Sequence, residues 1–140
     1  MIPPRSLFTV FCDVVRVETS KKLLFVGTYT SAIIVDGEFP ATLPSLCIAS
    51  CVVLGRPSEQ ASMRLELPGA EVLEAEVTLN QNSPGDSATN IIQLIPVVIP
   101  EPGHLRFRLK FGDGTTHEAS IRVVGRKEHD SEKWPSDMVG

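Results

Sequence analysis

A chain of 140 residues with 42% apolar and 21% charged side chains has room for one core and not for two sizeable ones. That composition lies close to the average of folded proteins, which excludes global disorder, collagen-like repeats and coiled coil. A formal net charge of −4, with 13 Lys and Arg against 17 Asp and Glu, argues against a chain whose main task is to grip nucleic acid or an anionic membrane.

Val, Ile and Thr supply 33 of the 140 residues and cluster in short runs between Gly, Pro, Asn and Ser, the punctuation of β structure. No stretch of three turns keeps a helical apolar spacing, so almost no helix is expected. Residues 7–18 read as a first strand, with Phe8, Val10, Cys12 and Val14 on one face and Phe11, Val15 and Val17 on the other. Apolar groups on both faces imply a central strand. A polar turn at 19–22 leads into strands at 23–30 and 32–35, with Gly27 marking a bulge at which a long strand could bend between sheets. After a loop over 36–44, residues 46–54 run apolar on one face and carry Cys47, Ala49 and Cys51 on the other, where small side chains imply close packing.

Met63, Leu65 and Leu67 alternate with Arg64 and Glu66, Pro68-Gly69 turns the chain, and Leu73, Ala75, Val77 and Leu79 alternate with Glu74, Glu76 and Thr78. These are two strands with a wet face each. Residues 81–88 have loop composition, and 91–99 resume as a buried strand interrupted at Pro96. Leu105, Phe107, Leu109 and Phe111 then point one way and His104, Arg106, Arg108 and Lys110 the other. Gly112-Asp113-Gly114 turns the chain, and Ala119, Ile121 and Val123 complete a hairpin. Beyond a single domain at 1–125, residues 126–140 are charged and aperiodic with Trp134 as their one large aromatic group, the pattern of a flexible tail.

Seven to nine short strands with clean alternation predict an all-β fold, a two-sheet antiparallel β-sandwich of immunoglobulin-like type, with a small β-barrel as the alternative. The Phe11-Cys12-Asp13 triplet, the run from Lys22 through Gly27 to Tyr29, Phe39-Pro40, and the Pro102-Gly103-His104-Leu105-Arg106-Phe107 run ending at Gly112-Asp113-Gly114 resemble landmarks of a family of small, uncharacterised bacterial β-sandwich proteins. The resemblance covers about residues 7–124, with Leu105 standing where such strands usually carry Tyr. It implies the sandwich fold and, the family having no agreed activity, no catalytic residue.

No basic start followed by an uninterrupted apolar core is visible near Met1, and the apolar runs near 46–54 and 91–99 are far shorter than the roughly 20 residues of a spanning helix. Cys12, Cys47 and Cys51 are odd in number and form no C-x-x-C pair. Neither a disulfide framework nor a zinc site is expected, and reduced thiols in a cytoplasm are.

His104, Arg106, Arg108 and Lys110 form a cationic stripe, with Arg122 placed to join it from the neighbouring strand. Such a stripe could hold phosphate or an acidic partner. Alternating charge is also what any solvated sheet face shows, and no aromatics interleave to stack bases, so nucleic acid is not the expected partner. Glu66, Glu71, Glu74 and Glu76 supply the opposite sign. If both stripes share a face they neutralise each other; on different faces they would make the molecule bipolar. His104, His117, Asp113 and Ser120 lie in or beside the last hairpin, the residue types of a hydrolase without its motif. Asp86 and Asp113, each between small residues, have the chemistry of turns. With no nucleotide-binding or metal-ligand motif, no cofactor, metal or catalytic residue is assigned.

The leading expectation is a non-enzymatic intracellular protein-binding or assembly module acting through the loops at 36–44 and 81–89, its edge strands and the Trp134 tail, with a protein partner or self-association into a homo-oligomer. A small inhibitor or accessory protein of phage or mobile-element type is the alternative, and a hydrolase using His104 and His117 the third.

Overall fold

A computed structural model describes residues 3–19, 22–83, 86–132 and 134–138. Its strands in chain order are β1 (Arg5–Val17), β2 (Leu23–Tyr29), β3 (Ala32–Val35), β4 (Ala41–Leu43), β5 (Leu46–Val53), β6 (Ser58–Glu66), β7 (Leu73–Asn80), β8 (Ala88–Leu94), β9 (Val97–Ile99), β10 (Gly103–Phe111) and β11 (Thr116–Gly125). A four-stranded sheet has the order β2-β1-β5-β8, and a five-stranded sheet the order β3-β11-β10-β6-β7. Every pairing is antiparallel except that of β3 with β11. β4 and β9 form a separate two-stranded piece. The two packed sheets therefore hold nine strands, and neither closes into a barrel. This is an all-β sandwich.

The core lies between the inner faces. β10 buries Leu105, Phe107, Leu109 and Phe111 and exposes the residues between them, the period of a half-buried strand. β11, β6 and β3 add Ile121, Val123, Leu65 and Ile33. Opposite them stand Leu46, Ile48 and Val52 of β5 and Phe11 of β1. Each such side chain contributes about 1.5–3 kcal/mol relative to exposure. The buried polar residues Ser50 and Gln81 are paired. The hydroxyls of Thr9 and Ser50 are 3.0 Å apart across β1 and β5, and Gln81 closes one end by accepting from the Leu54 amide at 2.8 Å and donating to the Leu54 carbonyl at 3.1 Å.

One predicted strand is divided and one crossing is moved, since Gly27 lies within β2 in unshifted register with β1. Thr30 and Ser31 carry the chain from β2 in one sheet to β3 in the other. Pro96 does not merely interrupt one strand at 91–99; it separates β8 in the four-stranded sheet from β9 in the small one, since proline lacks the amide a continued ladder needs. The described part of the tail forms a short helix, α1 (Arg126–Ser131), and a 3-10 turn at Ser136–Met138. Ion pairs from Arg126 to Asp36 and from Arg122 to Glu132 tie α1 and the residue after it to the body.

β1 outruns its neighbour. Only residues up to Cys12 pair with β5, while pairing with β2 continues to Val17, so residues 14–17 and 23–26 form a two-stranded arm beyond the sheet. At the base of the arm, Gly27 has a φ of 69° and the Asp13 carboxylate fills the space a Cβ would need. Tyr29 donates its hydroxyl proton to the same carboxylate at 2.6 Å. Phe25 pairs with Val15, far along β1 from Phe8, yet the two rings meet edge to face with centroids 6.2 Å apart. The arm therefore coils back toward the start of β1.

Candidate functional site

The predicted cationic stripe lies on the outer face of the five-stranded sheet. Across β11, His104 faces Arg122, Arg106 faces Ser120, Arg108 faces Glu118 and Lys110 faces Thr116. Across β6, Arg106 faces Glu66 and Arg108 faces Arg64. Arg64 pairs with Glu66 at 3.0 Å and Glu74 at 3.5 Å, and Ser62 donates to Glu76 at 2.7 Å. The acidic and basic stripes thus share a face and interleave. Their fields cancel within about a Debye length, and each exposed pair contributes only a few tenths of a kcal/mol. Arg122 is engaged by both oxygens of Glu132, which raises the guanidinium pKa and lowers that of the carboxyl. A shallow depression of about 390 Å³ among Glu66, Arg106, Arg108, Glu118 and Ser120 has both signs in its lining, which favours neither an anion nor a cation.

The last hairpin does not bring its two histidines together. His104 is exposed on the outer face beside Arg122. His117 pairs with Leu109 on the inner side and stacks edge-on against Phe111 at 5.6 Å. Asp113 sits in the turn at the far end of β10 from His104, and its carboxylate accepts from the Thr115 amide at 2.8 Å, a bond that lowers its pKa. Trp134 is 72% exposed, beyond α1. Among the described residues no group of three or more His, Cys, Asp and Glu is placed to hold a metal ion, and no helix is long and apolar enough to cross a membrane.

A second surface has the opposite character. Residues paired across antiparallel strands share a face. On the outer face of the four-stranded sheet, Phe8 therefore aligns with Cys51 and Thr89, Val10 with Ala49 and Ile91, and Cys12 with Thr28, Cys47 and Gln93; Val14 and Val26 continue this register on the arm, whose other side brings Phe25 back onto Phe8. From Phe8 to Val26 this face carries no carboxylate, ammonium or guanidinium. Arg5 and Arg16 stand at its two ends. Phe8 is 42% exposed, Ile91 39%, Val26 43% and Leu24 45%. Cys12, Cys47, Ala49 and Cys51 are buried beneath these neighbours, with at most 4% of their surface exposed.

Sequence reasoning passed over this face. Apolar groups on both sides of β1 mark it as central, which it is, lying between β2 and β5, and on its second side Phe25 of the arm packs against Phe8. The small residues of β5 point to it too. The sequence gives no sign that Cys12 and Cys47 lie directly opposite each other on neighbouring strands. Burial above all, then the nearby Cys47 and Asp13 charges, pushes the Cys12 thiol up. The Cys47 thiol donates to the Asp13 carbonyl at 3.5 Å, and Cys51 lies 3.4 Å from the Thr89 hydroxyl. All three cysteines are free and serve as small buried fillers.

Comparison with curated proteins returns no match. A family model described as a family of unknown function, DUF6941, matches residues 7–124, from within the first strand to within the last, and the chain belongs to that family.

Proposed function

We propose that this protein is a non-enzymatic binding or assembly module whose docking surface is the outer face of the four-stranded sheet. The observation that carries the reading is the contrast between the sandwich's two outer faces. One is a mesh of Arg, Lys and Glu; the other carries no ionised group from Phe8 to Cys12 and across to Ile91, and leaves Phe8 42% and Ile91 39% exposed. Exposed apolar patches of several hundred Å² on a water-facing sheet mark interaction sites. The immunoglobulin-like arrangement belongs to this reading: two face-to-face sheets with the chain passing between them suit domains that work by contact. So does a cytoplasmic setting, which three free, buried thiols suit.

The test is recovery of tagged protein from its native host in three forms: wild type, Ile91→Glu on the apolar face, and Arg106→Glu on the charged one. Wild type and Arg106→Glu are expected to sediment in a stoichiometric complex that Ile91→Glu loses while remaining folded. A complex indifferent to Ile91→Glu would overturn the placement of the docking surface on this face.

A further inference from the structure

We propose that the free edge of β7 takes an extended segment of another protein, one that alternates basic and apolar residues and adds to the five-stranded sheet as a sixth strand. The inference stands apart from the four-stranded face and concerns the flank of the sandwich.

The two flanks end differently. On one, the edge strand β3 buries its inward residues Ile33 and Val35, at 0% and 7% exposure. On the other, β7 directs Leu73, Ala75, Val77 and Leu79 inward, since they pair with Leu65, Met63, Ala61 and Glu59 of β6, yet only Leu79 is buried. Leu73 is 46% exposed, and Ala75 is exposed beside it. β8, the edge of the opposite sheet, approaches β7 on this side and leaves Ile92 and Leu94 half-buried, as Met63 and Val77 are. The core is unfinished along this flank.

The backbone there is open as well. Among the described residues no strand pairs with the outer edge of β7. Folded proteins blunt such an edge with proline, a bulge, a very short strand or an inward-pointing charge. β7 has eight residues in unshifted register with β6, contains no proline, and its inward side chains are all apolar. Such an edge accepts a further strand, whose main chain supplies affinity and whose alternate side chains supply selectivity.

Charge selects the occupant. Across the outer face each charged row is answered by the next strand: Arg106 of β10 faces Glu66 of β6, and Arg64 of β6 reaches Glu74 of β7 at 3.5 Å. The pattern then stops at Glu74 and Glu76, with the Glu74 side chain 66% exposed. A sixth strand with Lys or Arg opposite them continues it, and the residues between those cations fall on the side of Leu73, Ala75 and Val77. A second copy pairing β7 to β7 would set the same carboxylates against each other, which like charge disfavours.

The test titrates the purified chain into short fluorescent peptides: one alternating Lys and Val, one alternating Glu and Val, and one with the same Lys and Val in separate blocks. The alternating Lys-Val peptide is expected to bind and to slow amide exchange at residues 73–80, with the other two at least about tenfold weaker. Glu74→Lys combined with Glu76→Lys should reverse the preference toward the Glu-Val peptide. Ala75→Glu, which points a charge inward from the edge, should lose the Lys-Val peptide; each variant is checked for an unchanged thermal melt. Absence of Lys-Val binding, equal binding of the block peptide, or binding that survives both variants would overturn the inference. Protection of 73–80 that rises with the concentration of the chain alone would overturn it in favour of a second copy. None of these outcomes bears on the Ile91→Glu test, so the two proposals fail separately.

Discussion

Gly27 shows how one residue sets the geometry of a surface. Its φ of 69° suits glycine, and the Asp13 side chain occupies the place of any Cβ. Gly27→Ala should cost about 2 kcal/mol or more, read from urea unfolding, and loosen the arm, read as faster amide exchange at residues 23–26. Tyr29 holds the other side of Asp13, and burial, then the hydrogen bond to that carboxylate, pushes its pKa well above the ordinary value. The folded state therefore keeps a proton that the unfolded chain gives up near pH 10. Stability is full below that pH and falls as pH rises beyond it. Tyr29→Phe should lose about 1 kcal/mol at neutral pH and show a flatter decline above pH 10 than wild type.

Among the elements, legibility tracked how completely side-chain alternation determines the environment. β10 and β11 read correctly because one face is all core and the other all solvent. Leu109→Ala should cost about 2–5 kcal/mol in chemical unfolding, whereas Arg106→Glu on the opposite face should stay within about 1 kcal/mol. β7 was legible as a strand, but it is an edge, so only Leu79 of its alternating apolar set is buried. The stretch through Pro96 reads as one strand because apolar runs do not reveal which sheet each half joins. The candidate face was illegible for a related reason: periodicity reports that β1 and β5 are apolar on both sides, not that one of those sides meets water. The charged stripe drew attention because formal charges are easy to see in a sequence, and their cross-strand partners on β6 are not.

For the whole molecule, an interface without ionised groups has a distinctive response to conditions. Raising salt should leave the complex proposed on the four-stranded sheet unchanged or tighten it, since exposed ion pairs weaken with ionic strength and apolar contacts do not. Sedimentation at low and at molar sodium chloride reads this directly. Deleting residues 126–140 removes the exposed pairs Arg126–Asp36 and Arg122–Glu132 and should leave the unfolding midpoint nearly unchanged. The truncated chain should still enter the proposed complex. Loss of association on that deletion would move the binding surface to the tail, where the sequence placed part of it.

The parallel pairing of β3 with β11 also bears on the order in which the chain assembles. Ala32 to Val35 are synthesised about ninety residues before their ladder partners, Arg122 to Gly125. Until those residues emerge, Ile33 and Val35, both core residues, have no sheet to join. Closing so long a loop is entropically slow, which makes this edge a late event in folding. A nascent chain stalled before the last strand would hold an apolar segment open to the wrong neighbour, the period in which aggregation competes with completion.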